Sequence, residues 1–229
     1  MSFYDYIVVA VLGGVTALDK SAFRMLAGEP LVICTAAGAY LGELEMGLMM
    51  GMIWQLIWMG ELPIGAAVIP DGSTGALVST CIYIKFVQNS EQLAQLLFAL
   101  ALFIGVVSAY MGGSFISDKR KFHNRYLNIM DKFAKEVRPA GVESVFIVGM
   151  AEQFLSGAFF ASFLCFIFST LLNFTLHRVP VYWDSLFCSM SVITMGIASA
   201  VIVDLFWNRK TLPPLILGLA LGFVYLVLI

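Results

Sequence analysis

The chain has 229 residues, 60% of them apolar and 12% charged, with a mean hydropathy of +0.91. Soluble domains carry about 25% charged residues, so this composition excludes an ordinary soluble domain and places the chain in a membrane. A formal net charge of −2 argues against a nucleic-acid partner. Four cysteines in apolar, unpaired positions (Cys34, Cys81, Cys165, Cys188) and only two histidines predict neither a disulfide framework nor a metal or cofactor site.

The amino terminus, MSFYDYIVVAVLGG, has no Lys or Arg before its apolar run, so a cleaved signal peptide is not expected. Residues 6–18 are apolar but short, because a bilayer-spanning helix needs about 20 residues. Asp19, Lys20 and Arg24 follow; the two bases read as interface charges and Asp19 as a cap or a ligand. Pro30 opens a second short run, LVICTAAGAYLG, closed by Glu43 and Glu45. Both runs predict half-spanning or re-entrant helices. Gly38 with Gly42, and Gly47 with Gly51, have the small-x-x-x-small spacing that lets helices approach closely in lipid.

Residues 51–75, GMIWQLIWMGELPIGAAVIPDGSTG, mix an apolar run with Gln55, Glu61, Asp71 and, after Gln55, six Gly or Pro breakers. Broken backbone at membrane depth must be buried in protein or line a wet cavity. Polar side chains there are functional candidates, and half-helices aimed at a polar ligand are a common transporter device. Asp71, in P-D-G, equally suits a turn cap. Trp54 and Trp58 read as packing or interfacial residues ahead of a platform for a ligand.

Beyond a further short run at 76–86, residues 93–116 form the first full uncharged span. Residues 117–139 hold seven of the thirteen basic residues, so the positive-inside rule places them in the cytoplasm, with FHNRYLNIMDKFAKEV as a short amphipathic helix. Residues 145–176 are apolar but long and carry Glu152, Gln153 and Asn173; tilt, or a break at Gly157, would accommodate them. Glu152 is expected to face protein or a cavity. Tyr182 and Trp183 suit an interfacial belt, and 185–206 and 212–229 are later spans. The fold class is therefore an all-α integral membrane protein: transmembrane helices plus short re-entrant or broken helices in the first 90 residues. It divides into a broken-helix region (1–90), a span (91–116), a cytoplasmic basic loop (117–140) and further spans (141–229). No nucleotide-binding G-x-x-x-x-G-K-[ST] and no H-E-x-x-H motif is present.

One family matches this pattern. Leu18-Asp19, Phe23, Pro30-Leu31, Cys34-Thr35, Gly38, Leu41-Gly42, Gly47 and Gly51 lead to Ile64-Gly65-Ala66-Ala67 and Pro70-Asp71. Later, Met195-Gly196-Ile197-Ala198, Leu212-Pro213 and Leu217-Gly218 carry a weaker match. The chain resembles the IIC membrane component of the mannose/fructose/sorbose class of the bacterial sugar phosphotransferase system. The resemblance implies a sugar-translocating subunit in the inner membrane, with no catalytic residue of its own. Its implied partners are a IID membrane subunit, in oligomers of IIC–IID pairs, and soluble IIA and IIB phosphocarriers. It departs from the family at Gln55, where members often carry Glu, and in ending one apolar segment early, at Ile229. The expected sugar site is Gln55 and Asp71, with Glu61 and Asp19 as further members. Two other readings suit the same residues: a proton-coupled transporter using Glu61 and Asp71, and a non-transporting assembly subunit.

Overall fold

Helix α1 (Phe3–Leu18) starts with a capping box, in which Ser2 and Asp5 satisfy each other's backbone N–H groups. In the computed structural model, residues 1–23, 25–59, 69–136, 139–205, 207, 213–214 and 216–218 are described, without the side chains of 23 and 120–128. Past Leu18 the chain widens into a π-helical turn, Asp19–Phe23. Helix α2 (Pro30–Leu41) has Pro30 at its first position, where the missing N–H is no loss. Gly42 ends it with φ +82°, a left-handed conformation suited to glycine, and α3 (Leu44–Trp58) folds back at once.

The α2–α3 hairpin packs backbone to backbone. A Cβ on Gly38 would lie 2.7 Å from the Gly47 Cα, and one on Gly51 would lie 3.0 Å from the Leu31 Cα. These glycines therefore serve helix packing, while Gly42 serves the turn. The predicted short helices of the first 90 residues are present: α1, α2 and α3 have 16, 12 and 15 residues.

Helix α4 (Gly72–Asn89) is the centre of the molecule. Every residue from Gly72 to Ile84 is buried, and α1, α2, α3, α5 and α6 all pack on it. Two ion pairs tie it antiparallel to α1. Lys85 Nζ lies 3.4 Å from Asp5 Oδ2 at one end, and Lys20 meets Asp71 at the other. At 1.5 Å per residue the two pairs lie about 22 Å apart.

Helix α5 (Ala94–Lys135) and helix α6 (Pro139–Leu176) are long. The expected span at 93–116 and the expected loop after it are one continuous helix. No Pro or Gly lies between Gly113 and Pro139, and the Lys and Arg residues there are good helix formers that prolong the helix as polarity rises. Nor does α6 break at Gly157. That glycine is where α1 crosses: a Cβ on Gly157 would lie 2.7 Å from the Gly13 carbonyl, and one on Gly13 2.9 Å from the Gly157 carbonyl. A 3₁₀ segment (Val181–Phe187) then returns to the start of α5, where Asp184 accepts a hydrogen bond from the Leu96 N–H at 2.9 Å. Helix α7 (Met190–Leu205) follows.

Among the described residues every helix or turn is helical in type and three stretches are long and apolar enough to cross a membrane: Glu91–Lys119, Pro139–Leu176 and Val181–Leu205. Their outward faces are apolar, with Phe146, Leu155, Phe159 and Phe174 on α6 and Val192 and Ile197 on α7 all exposed. A helix that is apolar all round suits a membrane. The chain is an all-α membrane protein with broken helices at its amino-terminal end.

Candidate functional site

Asp71 is the first residue after Pro70 and the N-cap of α4. Its Oδ1 accepts from the Thr74 N–H at 3.4 Å and its Oδ2 from the Thr74 hydroxyl at 2.6 Å. Its own N–H donates to the Ala109 carbonyl of α5 at 2.8 Å. The chain at Ile69–Asp71 lies so close to α5 that a Cβ on Gly113 would stand 2.3 Å from the Ile69 carbonyl oxygen, and one on Gly112 2.8 Å from the Asp71 Cβ. The cap expected from the sequence is therefore present, and it is buried. Lys20, on the π turn after α1, reaches the same carboxylate. Lys20 is thus not a simple interface charge. The helical turn that continues α1 carries it toward Asp71.

This ion pair forms one wall of a cavity of about 510 Å³ between the end of α1, the start of α4, α5 and α6. Drug-sized and cofactor pockets run from roughly 300 to 1,000 Å³. Lys119 of α5 also lines the cavity and reaches α6, donating to Gln153 Oε1 at 3.0 Å and to the Ser156 hydroxyl. Glu152 Oε1 lies 3.7 Å from the same amine, which agrees with the expectation that Glu152 faces protein or a cavity. Phe115 and Phe160, both in the lining, stack with centroids 4.5 Å apart and planes at 5°. Ser21, Thr74, Gln153 and Ser156 add hydrogen-bonding groups to the lining. The lining thus combines two polar groupings with a stacked aromatic pair, a composition suited to a ring rich in hydroxyls.

The other sequence candidates lie elsewhere. Asp19 uses both carboxylate oxygens to hold the turn before α2, accepting from the Met25 N–H at 2.6 Å and the Gly28 N–H at 3.0 Å. Gln55 sits on α3. Its Nε2 donates to Glu29 at 2.9 Å and its Oε1 accepts from the Leu31 N–H at 3.2 Å, so it secures the first turn of α2 and does not line the cavity. Trp54 is fully buried and stacks on Trp58, centroids 5.8 Å apart, with Trp58 against Gly72. That is packing. Glu61 and the Ile64–Ala67 motif lie outside the described residues.

Sequence reasoning missed Lys119 and Ser156. Lys119 stood first in a run of cations that read as an orientation signal. The one clue was Gln153 beside Glu152 in an apolar run, since amides inside spans need partners.

The profile of the family described as "PTS system sorbose-specific iic component" matches residues 3–228. The chain is 26% identical over 149 residues to the fructose permease IIC component of Bacillus subtilis (strain 168), which covers 65% of this chain and 51% of that protein. It is 34% identical over 79 residues to the mannose-specific EIIC component of Escherichia coli (strain K12), covering 34% of this chain and 28% of that one. To the sorbose-specific EIIC component of Klebsiella pneumoniae it is 25% identical over 155 residues, 67% of this chain and 55% of the relative. The chain spans about half the length, or less, of the curated relatives it matches. In fold it is similar to a solved structure described as a membrane protein, with a TM-score of 0.71 at 19% identity. Full coverage of this chain meets 94% of that one. It is similar also to a chain in the cryo-electron microscopy structure of the mannose transporter ManYZ with microcin E492, with a TM-score of 0.61 at 18% identity over all of this chain and 94% of that one. At that identity the likeness speaks for the fold.

Proposed function

Because the chain belongs to the sorbose-specific IIC component family of the sugar phosphotransferase system, we propose that it is the sugar-translocating subunit of a phosphoenolpyruvate-dependent system of the mannose class. It carries a hexose-type sugar across the inner membrane as soluble IIA and IIB subunits phosphorylate it. A IID subunit covers the apolar faces of α6 and α7 in IIC–IID assemblies. IIC components are transport subunits, so the phosphoryl-carrying groups belong to other chains. The observation that carries this reading is the cavity at the start of α4: an ion pair, hydroxyls, an amide and a stacked aromatic pair enclosed where apolar helices break.

Asp71 and Lys20 are the sugar ligands on one wall, with Thr74 behind them. Gln55 and Asp19 hold the backbone that shapes the region, and Glu61 stays a candidate through its nearness in sequence to Asp71. Membrane vesicles containing the chain and its IID partner test the function. Uptake of mannose, fructose or sorbose should require phosphoenolpyruvate and the soluble carriers. Uptake driven by a proton gradient alone would replace this reading with a secondary transporter. The basic half of α5 faces the cytoplasm. Cysteines at Lys121 and Lys132, in a background without native cysteines, should resist an impermeant thiol reagent in intact cells, and labelling from outside would reverse the orientation.

A further inference from the structure

Two neighbours on the π turn after α1 are used in different directions. Lys20 lines the cavity and meets Asp71. Asp19 is not among the described lining residues. It is 8% exposed, and both its carboxylate oxygens hold the connection to α2, one accepting from the Met25 N–H and the other from the Gly28 N–H. The fit there is close. A Cβ on Gly28 would lie 3.1 Å from the Asp19 Cβ and 3.1 Å from the Thr16 Cα. Between the two clasped amides Leu26 has φ +65°, a left-handed conformation that a leucine keeps only where its surroundings hold it. A π turn is itself rare, occurs mostly as a single turn and is frequent at functional sites. One buried carboxylate thus joins two uncommon backbone conformations.

The consequence falls on Lys20. Adjacent side chains leave a helical axis roughly 100° apart, so fixing the direction of Asp19 fixes that of Lys20, and that direction is toward Asp71. Without the clasp the turn is free to return to α-helical pitch, which swings the Lys20 side chain off the Asp71 carboxylate. We infer that Asp19 is a positioning residue of the sugar site: it touches no ligand, and by clasping the Met25 and Gly28 amides it holds the π turn that aims Lys20 at Asp71 and at the sugar. This rests on the proposed transport function, and it gives Asp19 a role in binding that acts wholly through Lys20.

The test uses the chain copurified with its membrane partner subunit. A water-soluble amine-acylating reagent, followed by mass spectrometry, reads where Lys20 points. Lys85, paired with Asp5 at the far end of α4, is the internal reference. An amine in a charge-assisted hydrogen bond must break it before it reacts, so Asp19→Ala should raise acylation of Lys20 relative to Lys85 about threefold or more. Calorimetry with whichever of mannose, fructose and sorbose the parent complex binds reads the effect on the site. Asp19→Ala should lower affinity roughly five- to tenfold, and in a Lys20→Met background the same change should cost less than about twofold, because residues that act as a unit are not additive. The inference fails if the acylation ratio is unchanged, or if Asp19→Ala costs the same affinity with and without the Lys20 amine, as a merely structural role would. Should Asp19→Ala fail to assemble, Asp19→Asn keeps one acceptor oxygen for the two amides. It should show smaller changes of the same sign in both measurements, and unchanged values there overturn the inference. If the parent complex binds none of the three sugars, the transport reading falls, and the acylation ratio alone decides whether Asp19 aims Lys20.

Discussion

At one end of the α1–α4 pair Lys85 meets Asp5, and at the other Lys20 meets Asp71. The chemistry is the same, an aspartate near the start of one helix and a lysine near the end of the other. The surroundings differ. Asp5 is buried near Cys81 and Cys165 at the apolar core, and it also closes the α1 capping box by accepting from the Ser2 N–H at 2.7 Å. Asp71 is buried by its own cap, but its lysine stands 39% exposed on a cavity wall. A charge inside a membrane fold is therefore not yet a site. It becomes one where a cavity gives a ligand access to it.

The largest effect should come from breaking the closed end. Lys85→Met leaves Asp5 buried with little besides a backbone N–H. Removing one partner of a buried pair costs about 3–5 kcal/mol, and the Ser2 contact puts this case near 3 kcal/mol. Thermal unfolding of the purified protein should show the loss, and adding Asp5→Asn should recover most of it. If the single variant unfolds like the parent, the pair is not the lock described here.

Next in size is the α1–α6 crossing that holds the open end together. Gly13→Leu forces a side chain where a Cβ alone would lie 2.5 Å from the Ala161 Cβ. Overpacking of this kind costs about 1–3 kcal/mol. Gly149→Leu, on α6 away from the crossing, has nothing within 4 Å of its Cβ and should stay within about 0.5 kcal/mol of the parent. Equal stabilities for the two variants would mean that the crossing is looser than drawn.

At the open end the effect should move from stability to binding. Asp71→Asn keeps an oxygen to cap α4 and loses the charge that holds Lys20, so the helix should survive with a loss of about 1 kcal/mol. Sugar affinity should fall roughly ten- to a hundredfold, which is about 1.4–2.8 kcal/mol. Calorimetry on the assembled complex reads it. An unchanged affinity would reduce Asp71 to a cap and undo the contrast between the two ends.

Much of this architecture was legible in the chain. Short apolar runs bounded by Pro30, Gly42 and the breakers after Gln55 marked the broken helices, and P-D-G marked Asp71 as a cap, although the run after it read as 76–86 and α4 extends from Gly72 to Asn89. What stayed hidden was pairing over distance. Lys20 meets a residue 51 positions away, and Lys119 meets Gln153 and Ser156 at 34 and 37. No local periodicity encodes such a meeting. It depends on which helix faces which, and that is decided by bare crossings such as Gly13 on Gly157. The polarity change at residue 117 falls near the end of the apolar stretch at Lys119, but it did not mark the end of the helix, because charge changes the solvent a helix prefers and not its hydrogen bonding.

The smallest effect should be at Gln55, the residue the sequence put first. Its amide spans Glu29 and the Leu31 N–H, so Gln55→Ala removes a charge-assisted hydrogen bond and the partner of one N–H in the first turn of α2. The position is only partly buried, and water can replace both contacts. The expected loss is about 1 kcal/mol of stability, with sugar affinity within twofold of the parent. Gln55→Glu separates the two roles further. It would set a second carboxylate against Glu29 where Nε2 now lies 2.9 Å from it, and like charges at that range drive one group to keep its proton. Stability should then fall as pH rises through the range where that proton is lost, while the parent, with an amide there, should show no such dependence. A tenfold or greater loss of sugar affinity in Gln55→Ala, with assembly intact, would extend the sugar site from Asp71 to the start of α2.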